Sequence, residues 1–313
     1  MTSIRQSTLN YESWLREQLK GDLDKAAIAK KHEKMEESAF AFLRATYWRW
    51  AETIMEVCPD LASAPAVAAV GDIHVENYGT WRDADGRLVW GVNDFDEAAE
   101  MPFALDLVRL TASALLGRGK RAATDESIAA AVLAGYRRGL QTPAPIVLDR
   151  DWEWLRKLVV VSEKDRDKFW KKISATRSKA APQAYAKALE ASMPARGLTI
   201  KTAPRSAGTG SLGRPRWIGI ADWRGAPVVR EAKAIVPSAW LLANNSSYSE
   251  IQAYAVATGK FRAIDPWLHL HGNIIVRRLS PNNRKIEVDD GMNTFSPAML
   301  EAMGADLATC TRA

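Results

Sequence analysis

The chain has little of what cysteine- and histidine-based chemistry needs. Its 313 residues include two cysteines, Cys58 and Cys310, and four histidines, His32, His74, His269 and His271. Two cysteines so far apart make neither a disulfide framework nor a zinc-ligand spacing, so a reducing, cytoplasmic setting is expected. No apolar run approaches the ~20 residues of a membrane span, and the opening "MTSIRQSTLNYESWL" lacks the apolar core of a signal peptide, so no membrane partner is expected. Low-complexity tracts and internal repeats are missing too. Charge of one sign is not concentrated: 43 Lys and Arg face 37 Asp and Glu, and the net +6 is spread widely. That balance suits an anionic ligand without calling for nucleic acid. What remains is a globular composition, 47% apolar and 26% charged, with length for one large domain or two ordinary ones.

The hydrophobic pattern divides the chain. Residues up to about 60 read as helix, with Met35, Phe40, Leu43, Tyr47, Trp50 and Ile54 at three- and four-residue steps and Pro59 as the stop. "AVAAV" at 66–70 is a short strand candidate, and Asp85-Gly86 before "RLVWGV" signals a hairpin. From Pro102 to about Ala195 the pattern is helical, with Pro182 at a first helical turn. From Leu198 it turns to β-branched residues, glycines and turns, and is read as strands. "SSYSEIQAYAVAT" reads as a serine-capped helix, "HGNIIVRRLS" as a strand, and the end as a helix with Ser296 as cap and Pro297 behind it.

The conspicuous chemistry lies in "VGDIHVENYGTW" and "GVNDFDEA", which crowd Asp72, His74, Glu76, Asn77, Asp94 and Asp96 together. Asp72 and Asn77 stand on a loop after a strand, and Asp94 follows a second strand across a hairpin, so their loop ends are expected at one edge. Three oxygen donors there suit phosphoryl transfer, with one carboxylate orienting the acceptor hydroxyl. The amide and the other carboxylates hold magnesium, which wants hard oxygen ligands. Asp72, His74 and Asn77 are therefore the candidate catalytic residues, and Asn77, Asp94 and Asp96 the candidate magnesium ligands. Asp and Asn also gather at turns to cap backbone, but that alone does not account for three at this spacing.

A phosphate-covering loop is lacking before residue 72 and present at "GTGSLG", where Gly208, Gly210, Ser211 and Gly213 are the candidate cradle. A dinucleotide fingerprint would open a helix, whereas Pro215 and a strand pattern follow here. A Walker loop would continue with Lys-Ser/Thr, not Arg214-Pro215. A glycine-rich hairpin followed by a lysine-bearing strand fits better. Lys233 is that lysine, preferred to Arg230, and Glu250 on the next helix is its expected ion-pair partner. Ordinary surface charge is the alternative for both. A metallophosphoesterase, suggested by Asp72-x-His74, needs more histidine ligands than the chain offers.

The parts are complete but in inverted succession. The expected architecture is α+β: a bilobal protein-kinase-like fold, circularly permuted, with a helical large lobe over 1–200, an antiparallel-sheet small lobe over 201–288, and a hinge and returning large-lobe helix over 289–313. The loop "GDIHVEN" resembles that of aminoglycoside phosphotransferases and choline-kinase-like enzymes. That resemblance implies that His74 braces the loop and that Asp106 is a structural aspartate capping a helix beneath it. "KMEESAFAFLRATYWRW", "GDIHVENYGTW", "NDFDEA", "GTGSLGR" and "VVREAKAIVPSAW" together resemble a bacterial domain-of-unknown-function family, number 2252, which implies the architecture more than a reaction. The function expected is an ATP- or other nucleoside-triphosphate- and Mg2+-dependent phosphotransferase acting on a small-molecule hydroxyl. A nucleotide-binding pseudokinase and a protein nucleotidyltransferase are the alternatives on the same fold.

Overall fold

The computed structural model describes residues 2–119, 123–244, 250–288 and 295–311. Among them are twelve α-helices and three antiparallel sheets, a mixed α+β architecture. The N-terminal helical stretch is broken where local polar groups cap it. Four helices result, α1 (Ile4–Gln18), α2 (Lys25–Glu37), α3 (Ala39–Ala45) and α4 (Tyr47–Val57). Ser38 is extended (φ −168°) and its Oγ accepts from Ala41 N at 3.0 Å, so one helix ends and the next begins there.

The strand after them is β1 (Ala66–Ala69), followed by the expected hairpin of β2 (Tyr78–Arg82) and β3 (Leu88–Val92), turning at Gly86 with φ +77°. β4 (Ala99–Pro102) pairs with β1. The next ninety residues are not wholly helical. α5 (Ala104–Gly117) and α6 (Asp125–Gln141) are followed by a two-residue strand, β5 (Ile146–Val147), which adds to the hairpin as a third strand. Then come α7 (Glu153–Val159), α8 (Glu163–Ser174) and α9 (Gln183–Ala191), with Pro182 one residue earlier than expected, as the N-cap.

β6 (Lys201–Pro204), β7 (Arg216–Trp223), β8 (Ala226–Ala234), β9 (His269–His271) and β10 (Ile274–Leu279) form one five-stranded antiparallel sheet in the order β6-β7-β8-β10-β9. Arg224 and Gly225 both have positive φ (47° and 85°), the two-residue turn that matches strand twist between β7 and β8. "HGNIIVRRLS", expected as one strand, is instead the end of β9, a turn at Gly272 and β10. Short α10 (Ala239–Ala243) and α11 (Ala253–Ala257) lie between β8 and β9. The serine cap expected at 246–247 lies outside the described residues.

The final helix, α12 (Pro297–Cys310), begins at Ser296, whose Oγ accepts from Met299 N. It returns to the middle of the chain. Gly135 and Gly139 on α6 and Gly304 on α12 let the two backbones touch; a Cβ at Gly135 would lie 2.0 Å from the Glu301 carbonyl oxygen. Asp306 on α12 accepts from Val92 N at 2.7 Å, and Tyr78 Oη donates to the Met303 carbonyl at 2.9 Å, so the last helix also supports the hairpin. One apolar core joins α5, α6, α12 and the hairpin; a second joins α1, α4 and α9 to one face of the five-stranded sheet.

Candidate active site

The acidic loop leaves β1 under tight backbone control. Asp106, in the first turn of α5, accepts from Val70 N at 2.7 Å and Gly71 N at 2.9 Å. It therefore anchors the loop directly rather than capping the helix it sits on. Gly71 has φ +80°, and a Cβ there would lie 2.2 Å from the Glu97 carbonyl oxygen, so only glycine lets the two acidic segments approach. Burial pushes the Asp106 carboxyl up to about 6 against the two backbone donors.

Asp72 follows. Arg109, one α-helical turn beyond Asp106 on α5, donates to its Oδ1 from Nε at 3.1 Å and again from Nη2. Burial pushes the Asp72 carboxyl up to about 6, the Arg109 charge opposing it. Asn77 Nδ2 donates to the Asp72 carbonyl at 2.6 Å, closing the loop on itself. His74 is buried; its Nδ1 accepts from Glu76 N at 3.2 Å, and its ring meets Phe40 edge-on. Burial and the nearby Arg44 charge hold it well below the usual imidazole range, so it is neutral at pH 7. Glu76 pairs with Arg44 at 2.6 Å.

Beyond the hairpin, Asp94 and Asp96 meet Lys233 of β8, whose Nζ lies 3.4 Å and 2.5 Å from their Oδ1 atoms. Burial opposes ionisation of Asp94, yet the charges of Lys233, Arg277, Lys285 and Arg216 outweigh it and hold the carboxyl well below the ordinary range. Glu97 ties the same segment to the sheet's exit: it binds Arg214, and its Oε2 accepts from Ala239 N at 2.7 Å.

The glycine-rich loop joins β6 to β7 and closes over Asp72. A Cβ at Gly210 would stand 3.0 Å from Asp72 Oδ2, and the Gly210 carbonyl accepts from Lys31 Nζ at 2.7 Å. Lys31 is buried over the rings of Tyr11 and Trp48; burial, then the Arg214 charge, lowers its ammonium to about 7. Gly213 has φ +97°, faces Ile28 rather than the acids, and its carbonyl accepts from Asp24 N. Ser211 Oγ accepts from Arg216 at 2.7 Å. Leu212, next in the loop, is buried.

These segments share two spaces. A cavity of about 30 Å3 is lined by Asp72, His74, Asn77, Asp94, Asp96 and residues 208–211. Beside it a cleft of about 830 Å3 runs between the five-stranded sheet and the hairpin, with Asp94, Asp96, Gly208 and Lys233 in its wall. Glu250 is not on a helix: it is exposed on irregular backbone three residues before α11, and Lys233 pairs with Asp94 and Asp96. Arg230, the rival cation, faces away, donating to the Ser192 carbonyl and stacking on Trp267.

The profile of a family described as an uncharacterized protein conserved in bacteria (DUF2252) matches residues 23–201. The chain belongs to it. The matched span runs from just before α2 to the first residue of β6, so it takes in both acidic loops and stops short of the glycine loop. No curated protein and no solved structure matches the chain.

Among the described residues no group of three or more His, Cys, Asp or Glu is arranged to hold a metal ion, so a magnesium site here would rest on two carboxylates and an amide. Asn77, Asp94 and Asp96 offer hard oxygens; Asp96 Oδ2 is buried and accepts no hydrogen bond, with Arg214 Nη1 3.5 Å away as its ion-pair partner. Several site residues had no role assigned from the sequence: Lys31, Arg44, Glu97, Arg109, Arg214 and Lys285. Two had a usable signal. Arg109 is three residues beyond Asp106, on the same helix face, and Arg214 directly follows the last loop glycine.

Proposed function

We propose that this chain is a magnesium-dependent phosphotransferase that moves a phosphoryl group from a nucleoside triphosphate such as ATP to a hydroxyl of a small molecule, on a bilobal kinase-like frame whose parts follow one another in permuted order. One observation carries the reading. Gly210 lies against Asp72 and lines the same cavity as Asp72 and Asp94, although the two segments are far apart in the chain. In protein kinases a glycine-rich loop covers the phosphates and the lysine stands on the third strand of the small-lobe sheet. Here the glycine loop joins β6 and β7, the sheet's first two strands in chain order, and Lys233 stands on the third, β8. Asp72 and Asn77 precede the hairpin and Asp94 follows it, the kinase placing of base, amide and metal carboxylate.

Roles follow from the contacts. Asp72, ionised above about pH 6, accepts the acceptor's hydroxyl proton. Asn77 and His74 hold the loop that carries it, and Asp106 fixes the loop's start. The loop's backbone N–H groups and Lys233 hold phosphate oxygens. Magnesium, held by Asn77, Asp94 and Asp96, would neutralise charge on the phosphates. Only nine residues separate Asp96 from Asp106, and β4 fills part of that span, leaving no long segment to dock a peptide; the acceptor is therefore a small molecule. Free Cys58 and Cys310 suit a reducing cytoplasm.

Close cover of Asp72 by Gly210 and Arg109 favours a second reading, a module that binds nucleotide without transferring phosphate. A thermal-shift screen of nucleoside triphosphates with and without Mg2+ tests the first half of the proposal: stabilisation that needs both is expected, and no shift with any of them sinks it. Following labelled γ- and α-phosphate then separates phosphoryl transfer, nucleotidyl transfer and binding alone.

A further inference from the structure

The floor of the large cleft is unusual beside Lys233. Side chains two apart on a strand share a face, so Glu231 is the next residue on the lysine's side of β8. Glu231 is fully buried and receives three guanidinium groups: Arg205 at the start of the glycine loop, Arg216 on β7 at 2.8 Å, and Arg277 on β10 at 2.8 Å. Each gives Glu231 one of its five N–H donors in these bonds. Arg205 and Arg277 keep 22% and 33% of their side chains exposed, and all three line the cleft.

Asp94 and Asp96 also offset part of the Arg277 charge, but the three guanidinium groups share one directly bonded carboxylate in a partly buried place, where a charge-assisted bond to phosphate is strongest. Farther along the strand the sheet face is already covered: Val229 and Ile218 pack against Ile173, with Phe169 and Trp170 of α8 alongside. On the Glu231 side of Lys233 a planar base would have to displace an ion cluster or a helix; only the other side, toward Ile275 directly across on β10 with Ala257 and Leu268 nearby in the cleft wall, is apolar. Ligand pockets that take rings are lined mainly by apolar and aromatic groups, and the Glu231 side of the floor is not.

We infer that Arg205, Arg216 and Arg277 form an anion shelf, and that the cleft takes its ligand as a polyphosphorylated anion read more through its phosphates than through a base. The inference rests on the phosphotransfer reading and narrows its donor. A row of phosphates lies along the floor, from the glycine loop and Lys233 toward Arg277, with Lys172 of α8 also in the cleft wall.

The test is calorimetric titration of the full chain, in Mg2+, with ATP, GTP, CTP and inorganic tripolyphosphate, repeated on Arg277→Gln and Arg205→Gln. Affinities within about threefold of one another, tripolyphosphate included, with about tenfold weakening in either variant, are expected. Arg205→Gln is the control should Arg277→Gln fold poorly, because its residue lies on the loop outside the strands. ATP binding more than about tenfold tighter than tripolyphosphate, untouched by both substitutions, would overturn the shelf and leave phosphotransfer standing. Binding of none of the four would overturn both.

Discussion

Arg109 holds Asp72 through two nitrogens of one guanidinium, and Nη2 of that same group donates to the Leu43 carbonyl at 2.8 Å. The candidate base is thus clamped to α5 and, through α3, to the N-terminal helices. The pair is nearly dry, with Arg109 1% exposed and also stacked on Tyr47 and Trp50. Arg109→Met should raise the Asp72 pKa above about 6 and cost about 3 kcal/mol, because a buried carboxylate loses its cation. The pH–rate profile reads the first effect as a rightward shift of the acid limb. An unmoved limb would remove Asp72 as the base.

Asp72 and Asp106 have a consequence for stability. Both carboxyls sit at about 6 in the folded chain against an ordinary 3.8. The folded state therefore binds more protons than the unfolded one between those values, and stability falls as pH rises from about 4 to about 6. Asp106→Asn should remove its share of that slope. It should also cost about 2 kcal/mol, since one amide N–H would face a backbone N–H. Denaturant melts of both proteins at pH 4, 5, 6 and 7 check it.

Lys31 acts in the opposite direction. Its ammonium is lowered from 10.5 to about 7, so the unfolded chain binds the extra proton and stability rises between about pH 7 and 10.5. Lys31→Met should lose that rise, and it should also release the glycine loop that Nζ holds at the Gly210 carbonyl. Faster amide exchange at residues 208–213 would register the release; exchange unchanged from wild type would mean the loop is held elsewhere.

Asp94→Ala should abolish the part of nucleotide affinity that depends on Mg2+ and leave the chain folded, because Lys233 keeps Asp96 as its partner. Asp72→Ala should stop turnover with nucleotide affinity kept. Titrations of both variants with and without Mg2+ separate the two roles, and an Asp94 variant that still needs Mg2+ for tight binding would exclude that carboxylate as a ligand.

Gly135→Ala tests the seam between α6 and α12. A methyl 2.0 Å from the Glu301 carbonyl oxygen forces the helices apart. A loss of about 2 kcal/mol, or roughly 5 °C in Tm, is expected, well beyond what alanine's helix propensity returns.

Local periodicity and turn chemistry made several elements legible from the chain alone. The alanine-valine run became β1, Asp85-Gly86 made a hairpin, and Ser296-Pro297 opened α12, because each depends on neighbours within a few residues. The breaks at Ser38 and Thr46, the strand β5 inside a helical stretch and the turn at Gly272 escaped that reading. Capping geometry and a partner strand decided them, and both outweigh weak propensity.

The order of residues alone determined that Asp72, Asn77, Asp94 and Asp96 flank one hairpin, since chain connectivity leaves their loop ends no other edge. Tertiary packing alone decided that Gly210 lies on Asp72, that Lys233 answers Asp94 and Asp96, and that Glu231 collects three arginines. Those partners come from different segments, and the energy of a buried charge depends on what surrounds it in space, which no spacing along the chain records.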